Sequence, residues 1–229
     1  MSGTTPNELA QQLLLAVKMQ QDSKPLQTQL AALSFTDLRH ALQDAKQQKA
    51  FWINCYNAYF LILKREKKID KPAIYTQALL TIAQQKFSLD DIEHGILRRF
   101  RYKYSLGYFP NFFTPAPIRT LAVPKIDYRL HFALNCGAKS CPPIAFYTPE
   151  KIDQQLDFAT QAFLESESDF DEQHQVVYTT RLFLWFLGDF GGIKGIKSIF
   201  QQQLGKDLTG YRIRYKAYSW EEDLGNFVE

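Results

Sequence analysis

Residues 50–67, AFWINCYNAYFLILKREK, constrain the fold more than any other segment. A helix drawn over them is apolar almost all round, and such a helix is stable only when other elements cover every face. The rest of the chain must therefore wrap around it. Its basic last turn suits the negative end of the helix dipole. Asn54 and Asn57 sit inside it on adjoining faces. Buried amides demand partners, so each either ties down the backbone of a neighbouring segment or orients a site. The structural role is favoured, and both stay candidates for substrate binding. Cys55, between bulky neighbours, reads as a core thiol.

With 229 residues the chain can bury a sizeable core as one domain. Residues 8–20 and 25–48 read as amphipathic helices, the first capped within Thr5-Pro6-Asn7. Residues 1–48 are thus expected to form an N-terminal helical segment packing on a main unit, 49–229. A short helix is predicted over 73–86, and another from Ser88, an N-cap with acidic residues in its first turn. Residues 105–126 carry Pro110, Pro115, Pro117 and Pro124 and read as an irregular connection of the kind that lines sites. Alternation over 129–136 predicts a short strand ended by Gly137, followed by a helix over 149–165. Strands are predicted over 175–180 and 211–218, with helical turns over 181–190 and a helix over 194–204 between them. The expected fold class is α+β, mostly helical with a small antiparallel sheet in a single domain.

Composition narrows the function. The chain has 18 Phe, 12 Tyr and 3 Trp but only four His and three Cys. That excludes multi-zinc modules, disulfide scaffolds and haem attachment motifs. A net charge of +3 is too mild to imply nucleic acid. The basic blocks 64–68 and 98–103 and the acidic block 165–172 read first as solvated helix ends and a loop. The aromatic runs Phe109 to Phe113 and Phe183 to Phe190 read as core or groove wall rather than a base-stacking platform. No run of about 18 apolar residues and no leader-like start occurs, so a soluble, cytoplasmic protein is expected. Neither a cofactor, a metal nor nucleic acid is expected; a small molecule or peptide is the expected ligand.

The strongest constellation is DYRLHFALNCGAKSCPP, residues 127–143. A strand would deliver His131 and Asn135 on one face and then break at Gly137 into a loop bearing Cys136, Lys139 and Cys141. Amides of residues 137–140 can form an anion-binding nest. A thiol becomes a useful nucleophile beside a base or cation, and His131 and Lys139 are the nearest in sequence. Four readings of the CxxxxC pair stand: a disulfide closing a tight loop, two buried structural thiols, a zinc site with His131 and His94, or a catalytic thiol. A second constellation is SLDDIEHGILR, residues 88–98, where Asp90 and His94 are helix neighbours, so the carboxylate can orient the imidazole. Glu93 points elsewhere on that helix.

FWINCYNAYFLIL, FSLDDIEHGILR, DYRLHFALNCGAKSCPPI, VVYTTRLFLWFLGDFG and IRYKAYSWEEDLGN, in that order, resemble the DUF547 family from about residue 50 to the end. The resemblance implies shared polar residues at Asn54, Asn57, Glu93, His94, His131, Asn135, Cys136 and Cys141. Related domains occur fused to glutaredoxin-like or DEP domains, an association that favours thiol chemistry. The run SWEEDL at 219–224 departs from a shorter Asp-Trp-Ser-Leu-Asn run in the family, so no role carries over to the tail.

The reading that follows is a Cys/His thiol-dependent hydrolase or acyl transferase. Cys136 or Cys141 would be its nucleophile and His131 its base, with Glu93 or His94 positioning or transferring a proton and loop amides stabilising an oxyanion. Asn54, Asn57, Asn135 and Lys139 would contact substrate. The alternative is a non-catalytic ligand- or protein-binding domain with a structural or redox CxxxxC loop.

Overall fold

A computed structural model describes residues 4–228. The apolar helix, α4 (Ala45–Leu61), starts on Asp44, whose carboxylate accepts the amides of Lys46 and Gln47. Every residue of it from Gln48 to Leu61 is buried, and one π-helical turn, Ile62–Glu66, extends it. Against it packs α1 (Pro6–Lys18). Thr5 and Glu8 close a reciprocal capping box at the start of α1.

The single helix expected over 25–48 is three: α2 (Lys24–Ala32), α3 (Phe35–Ala41) and the beginning of α4. Two internal caps cause the breaks. Ser34 accepts the Asp37 amide and Asp44 starts α4, so each side chain replaces a helical hydrogen bond with a local one. The helix expected over 73–86 is α5 (Ala73–Thr76) followed by a hairpin, β1 (Leu80–Ile82) with β2 (Gln85–Phe87). Ala83 and Gln84 take the left-handed conformation that a two-residue turn requires, without the Asn-Gly that normally signals it.

Ser88 and Asp91 then exchange hydrogen bonds at the start of a π-helix, Asp91–Leu97. In the proline-rich connection the one helix is α6 (Ala116–Leu121). The strand expected over 129–136 is instead a 3-10 helix, Tyr128–Phe132. Asp127 caps it by accepting the Arg129 amide. Apolar alternation there serves two cores, not two faces of a sheet. Leu130 and Ala133 join the core around α4, whereas Phe132 joins a second core.

That second core is built by α7 (Ile152–Glu167), β3 (Asp169–Asp171), β4 (Val176–Thr179), the turn α8 (Leu182–Trp185), α9 (Gly192–Leu204) and β5 (Arg212–Tyr215). The strand order is β3-β4-β5. β3 and β4 are antiparallel, but β4 and β5 pair in parallel with Val176 opposite Arg212. The sheet is therefore mixed, as a helical crossover between consecutive strands requires. The whole is a mostly helical α+β domain with two small sheets. Among the described residues no helix is long and apolar enough to cross a membrane.

The aromatic runs divide. Phe183 and Phe190 are buried, but Phe109, Phe112 and Phe113 are 69, 76 and 93% exposed and form neither core nor groove wall. The connection carrying them satisfies its own backbone, with Tyr102 N–H donating to Phe109 O and Asn111 N–H to Phe100 O.

Candidate functional site

Where the two cores meet, a cleft of about 490 Å³ opens. Its wall includes Glu93 and His94 from the π-helix, His131 from the 3-10 helix, and Cys136 and Cys141 from the loop that follows. Five residues separated by up to 48 positions in sequence thus share one cavity. Trp185, Tyr218 and Trp220 form an aromatic flank, with ring centroids 4.6–5.7 Å apart.

Behind the cleft wall, His131 contacts a buried ion pair. Asp189 accepts from Arg98 Nε at 2.5 Å and from His131 Nε2 at 2.9 Å, both through Oδ2. Arg98 and Asp189 have no exposed side-chain surface. Burial holds the His131 pKa below its ordinary value, although Asp189 works against it. The ring is therefore neutral, with its proton on Nε2 facing Asp189 and Nδ1 left as its basic nitrogen. Phe186 stacks on it at 4.0 Å. Asp189 stays ionised: burial opposes its charge, and the hydrogen bonds from His131 and Arg98 overcome that. Gly107 approaches this carboxylate so closely that a Cβ there would collide with Oδ1.

His94 is also neutral. Burial and then the Arg98 charge push its pKa down to about 3. Arg98 Nη1 donates to His94 Nδ1 at 2.7 Å, which leaves Nε2 3.6 Å from Asp90. Lys103 pairs with Asp90 at 2.7 Å. Glu93 accepts from the Tyr56 hydroxyl at 3.1 Å, and burial keeps that phenol protonated.

Cys136 and Cys141 are joined as a disulfide. Of the four readings of the pair, the disulfide is the one seen, and Cys55 is the free, buried thiol among the described residues. With both loop sulfurs bonded to each other, no three His, Cys, Asp or Glu side chains among the described residues gather as metal ligands. No hydrogen bond among the described residues links a cysteine sulfur to an imidazole. The polar neighbour is Tyr218, whose hydroxyl lies 3.1 Å from Cys141 Sγ and 3.5 Å from Cys136 Sγ. Burial raises the Tyr218 pKa, so it remains a donor. The Cys136 amide also donates to Cys141 Sγ, at 3.1 Å.

The three site asparagines hold backbone rather than face the cleft. Asn54 gives and takes one hydrogen bond with Tyr147. Asn57 donates to Ala133 O and accepts from the Asn135 amide. Asn135 in turn accepts from Gly137 N–H and donates to Pro142 O, closing the Cys loop. Both polar groups of each amide are engaged, so none is presented to a substrate. Lys139 is exposed, pairs with Glu221 and lies outside the cleft wall. Gly137 has φ +71 and packs against Phe60 and Leu224, where a Cβ would fall within 3 Å of both.

Sequence reasoning missed Asp189, Arg98 and Tyr218 as site residues. A lone acid in the apolar run RLFLWFLGDF was the available signal, because a buried carboxylate needs a cation. Arg98, four residues after His94 on a helical stretch, was that cation. The tail was also missed. Trp220 lines the cleft, and Glu221 O and Asp223 N–H bond to the backbone of Lys139 and Gly137.

A family model described as a protein of unknown function, DUF547, matches residues 40–164, a span containing α4, the π-helix and the Cys loop. No curated protein matches the chain, and no solved structure matches it.

Proposed function

This chain belongs to the DUF547 family, and we propose that its aromatic cleft is a thiol–disulfide exchange site working through Cys136 and Cys141. The observation that carries this reading is a disulfide on the wall of an open cleft with two donors aimed at one of its sulfurs. A disulfide breaks most readily when the departing sulfur is stabilised as a thiolate. Cys141 is nearly covered and receives both Tyr218 and the Cys136 amide, whereas Cys136 is half-buried. An incoming thiolate therefore attacks Cys136 Sγ. The Cys136–Cys141 bond breaks, Cys141 takes the bonding pair as a thiolate, and a mixed disulfide joins the incoming sulfur to Cys136. A second thiol attacks the incoming sulfur, frees Cys136 and completes the transfer of two electrons from two thiols to the protein. The flank of Trp185, Tyr218 and Trp220 suits a thiol compound or cysteine peptide carrying an apolar or aromatic group.

A second reading is favoured by one observation, His131 held by Asp189 with its basic nitrogen free. In the reduced protein Cys136 becomes an acyl acceptor with His131 as base, a Cys/His hydrolase or acyl transferase. The two separate experimentally. Cys141→Ser protein exposed to glutathione disulfide should gain one glutathione on Cys136, seen by intact-mass and peptide spectrometry, several-fold faster than Cys136→Ser gains one on Cys141. Failure of both variants to react faster than free cysteine would leave the disulfide structural. Acylation of the reduced wild type by an activated ester, abolished in His131→Ala, would favour the hydrolase.

A further inference from the structure

We propose that the aromatic connection between Arg98 and Val123 is a membrane-surface contact that seats the protein on anionic lipid. Phe109, Phe112 and Phe113 stand almost free of the fold. Burying an apolar side chain is favourable, so three held in water on a single loop mark an unpartnered surface. Tyr104 and Tyr108 are exposed beside them, and a phenol with an apolar ring and a wet hydroxyl suits the headgroup boundary.

Charge decides which partner fits. From Arg98 to Val123 there is no Asp or Glu, while Arg98, Arg99, Arg101, Lys103 and Arg119 are cationic. Arg98 is buried on Asp189 and Lys103 is paired with Asp90, whereas Arg99 and Arg119 are exposed. Their guanidinium groups flank the Phe100 ring at 5.8 and 5.7 Å, forming a basic collar behind the aromatic tip. Apolar and aromatic residues ahead of a cationic collar are the chemistry of an interfacial anchor on acidic lipid. A second copy docking through the same loop would bring two such collars together, which like-charge repulsion opposes.

The loop is also preformed. Besides the two backbone pairs that close it, Ser105 Oγ donates to Tyr102 O and accepts the Phe109 amide. Asn111 Oδ1 accepts the Phe113 amide, and Arg119 holds Thr114 O and Phe112 O. Its far side is fixed by Gly188 N–H donating to Leu106 O. Insertion then requires little ordering of the loop, which raises affinity. Lys103, Tyr104 and Leu106 belong both to this loop and to the cleft wall, so lipid contact would set the cleft mouth at the membrane surface.

The test is vesicle co-sedimentation of the full chain with phosphatidylcholine alone and with phosphatidylcholine–phosphatidylserine mixtures, at low and high salt. The wild type should pellet with the phosphatidylserine vesicles, and added salt should weaken binding. Combining Phe109→Ser, Phe112→Ser and Phe113→Ser should weaken binding about 100-fold with little change in the thermal melt, because these side chains are mostly exposed. Arg99→Gln should weaken it about fivefold. Three results would each overturn the proposal: no pelleting with either vesicle at low salt, equal binding by the triple-serine variant, or a lipid-independent dimer that the triple substitution abolishes.

Discussion

Phe183 and Phe190 meet ring to ring at 4.7 Å inside the second core, and Phe200 joins them at 5.8 Å from Phe183. Phe109, Phe112 and Phe113 stand in water on a loop of the same chain. Both stretches are rich in phenylalanine, and hydrophobicity alone assigns them the same fate. What separates them is how each stretch closes its backbone and where its charges lie. The loop pairs with itself through Tyr102, Phe109, Phe100 and Asn111 and is fringed by arginines. The 182–190 segment packs Phe183 and Phe190 into a core shared with side chains of α7 and α9 and contains one acid, Asp189, whose charge is matched by Arg98. One stretch stabilises the fold and lines the cleft; the other stands exposed.

Mutation separates the two stretches. Phe183→Ala should destabilise the protein by about 3–5 kcal/mol through lost burial and a residual cavity. Phe112→Ala should change stability by less than about 0.5 kcal/mol. Urea unfolding of the two variants measures this directly, and equal losses would erase the distinction. Asp189→Asn leaves Arg98 buried without its counter-ion and should cost about 3 kcal/mol in the same assay. Asn57→Ala strands Ala133 O and the Asn135 amide and should cost about 2 kcal/mol. Its signature is a loosened Cys loop, read as faster amide hydrogen exchange at residues 135–137.

A smaller effect is expected from acid. The His94 pKa is about 3 in the folded chain and about 6.5 when unfolded. Between those values the unfolded chain binds a proton that the folded chain refuses, so stability is fully present above pH ~6.5 and falls as pH drops toward ~3. His131, also held down by burial, pulls in the same direction. His94→Gln removes one titrating site and retains an acceptor for Arg98, so the decline of stability across this window should become shallower.

Much of the first core was legible because α4 announces itself by being apolar on every side and Thr5 caps α1 as its side chain allows, whereas the breaks at Ser34 and Asp44 were not read. Of the candidate site residues, Glu93, His94, His131, Cys136 and Cys141 line one cleft, whereas Asn54, Asn57, Asn135 and Lys139 do not. The strand expected through His131 was not found, because its alternation reflects two cores served by one 3-10 turn. The 80–87 hairpin escaped notice since Ala83 and Gln84 accept positive φ without a glycine or asparagine. Asp189 lies 91 residues from Arg98, and no local pattern joins them. The tail's bonds to Gly137 and Lys139 likewise have no signature in spacing.

As proposed, the cleft disulfide is open to incoming thiols and Tyr218 eases its opening. The most direct measurement is the second-order rate of its reduction by dithiothreitol at neutral pH, wild type against Tyr218→Phe. Loss of the hydrogen bond to the departing Cys141 sulfur should slow reduction about tenfold, with an unchanged unfolding midpoint. Identical rates, or a wild-type disulfide that opens only on global unfolding, would contradict it.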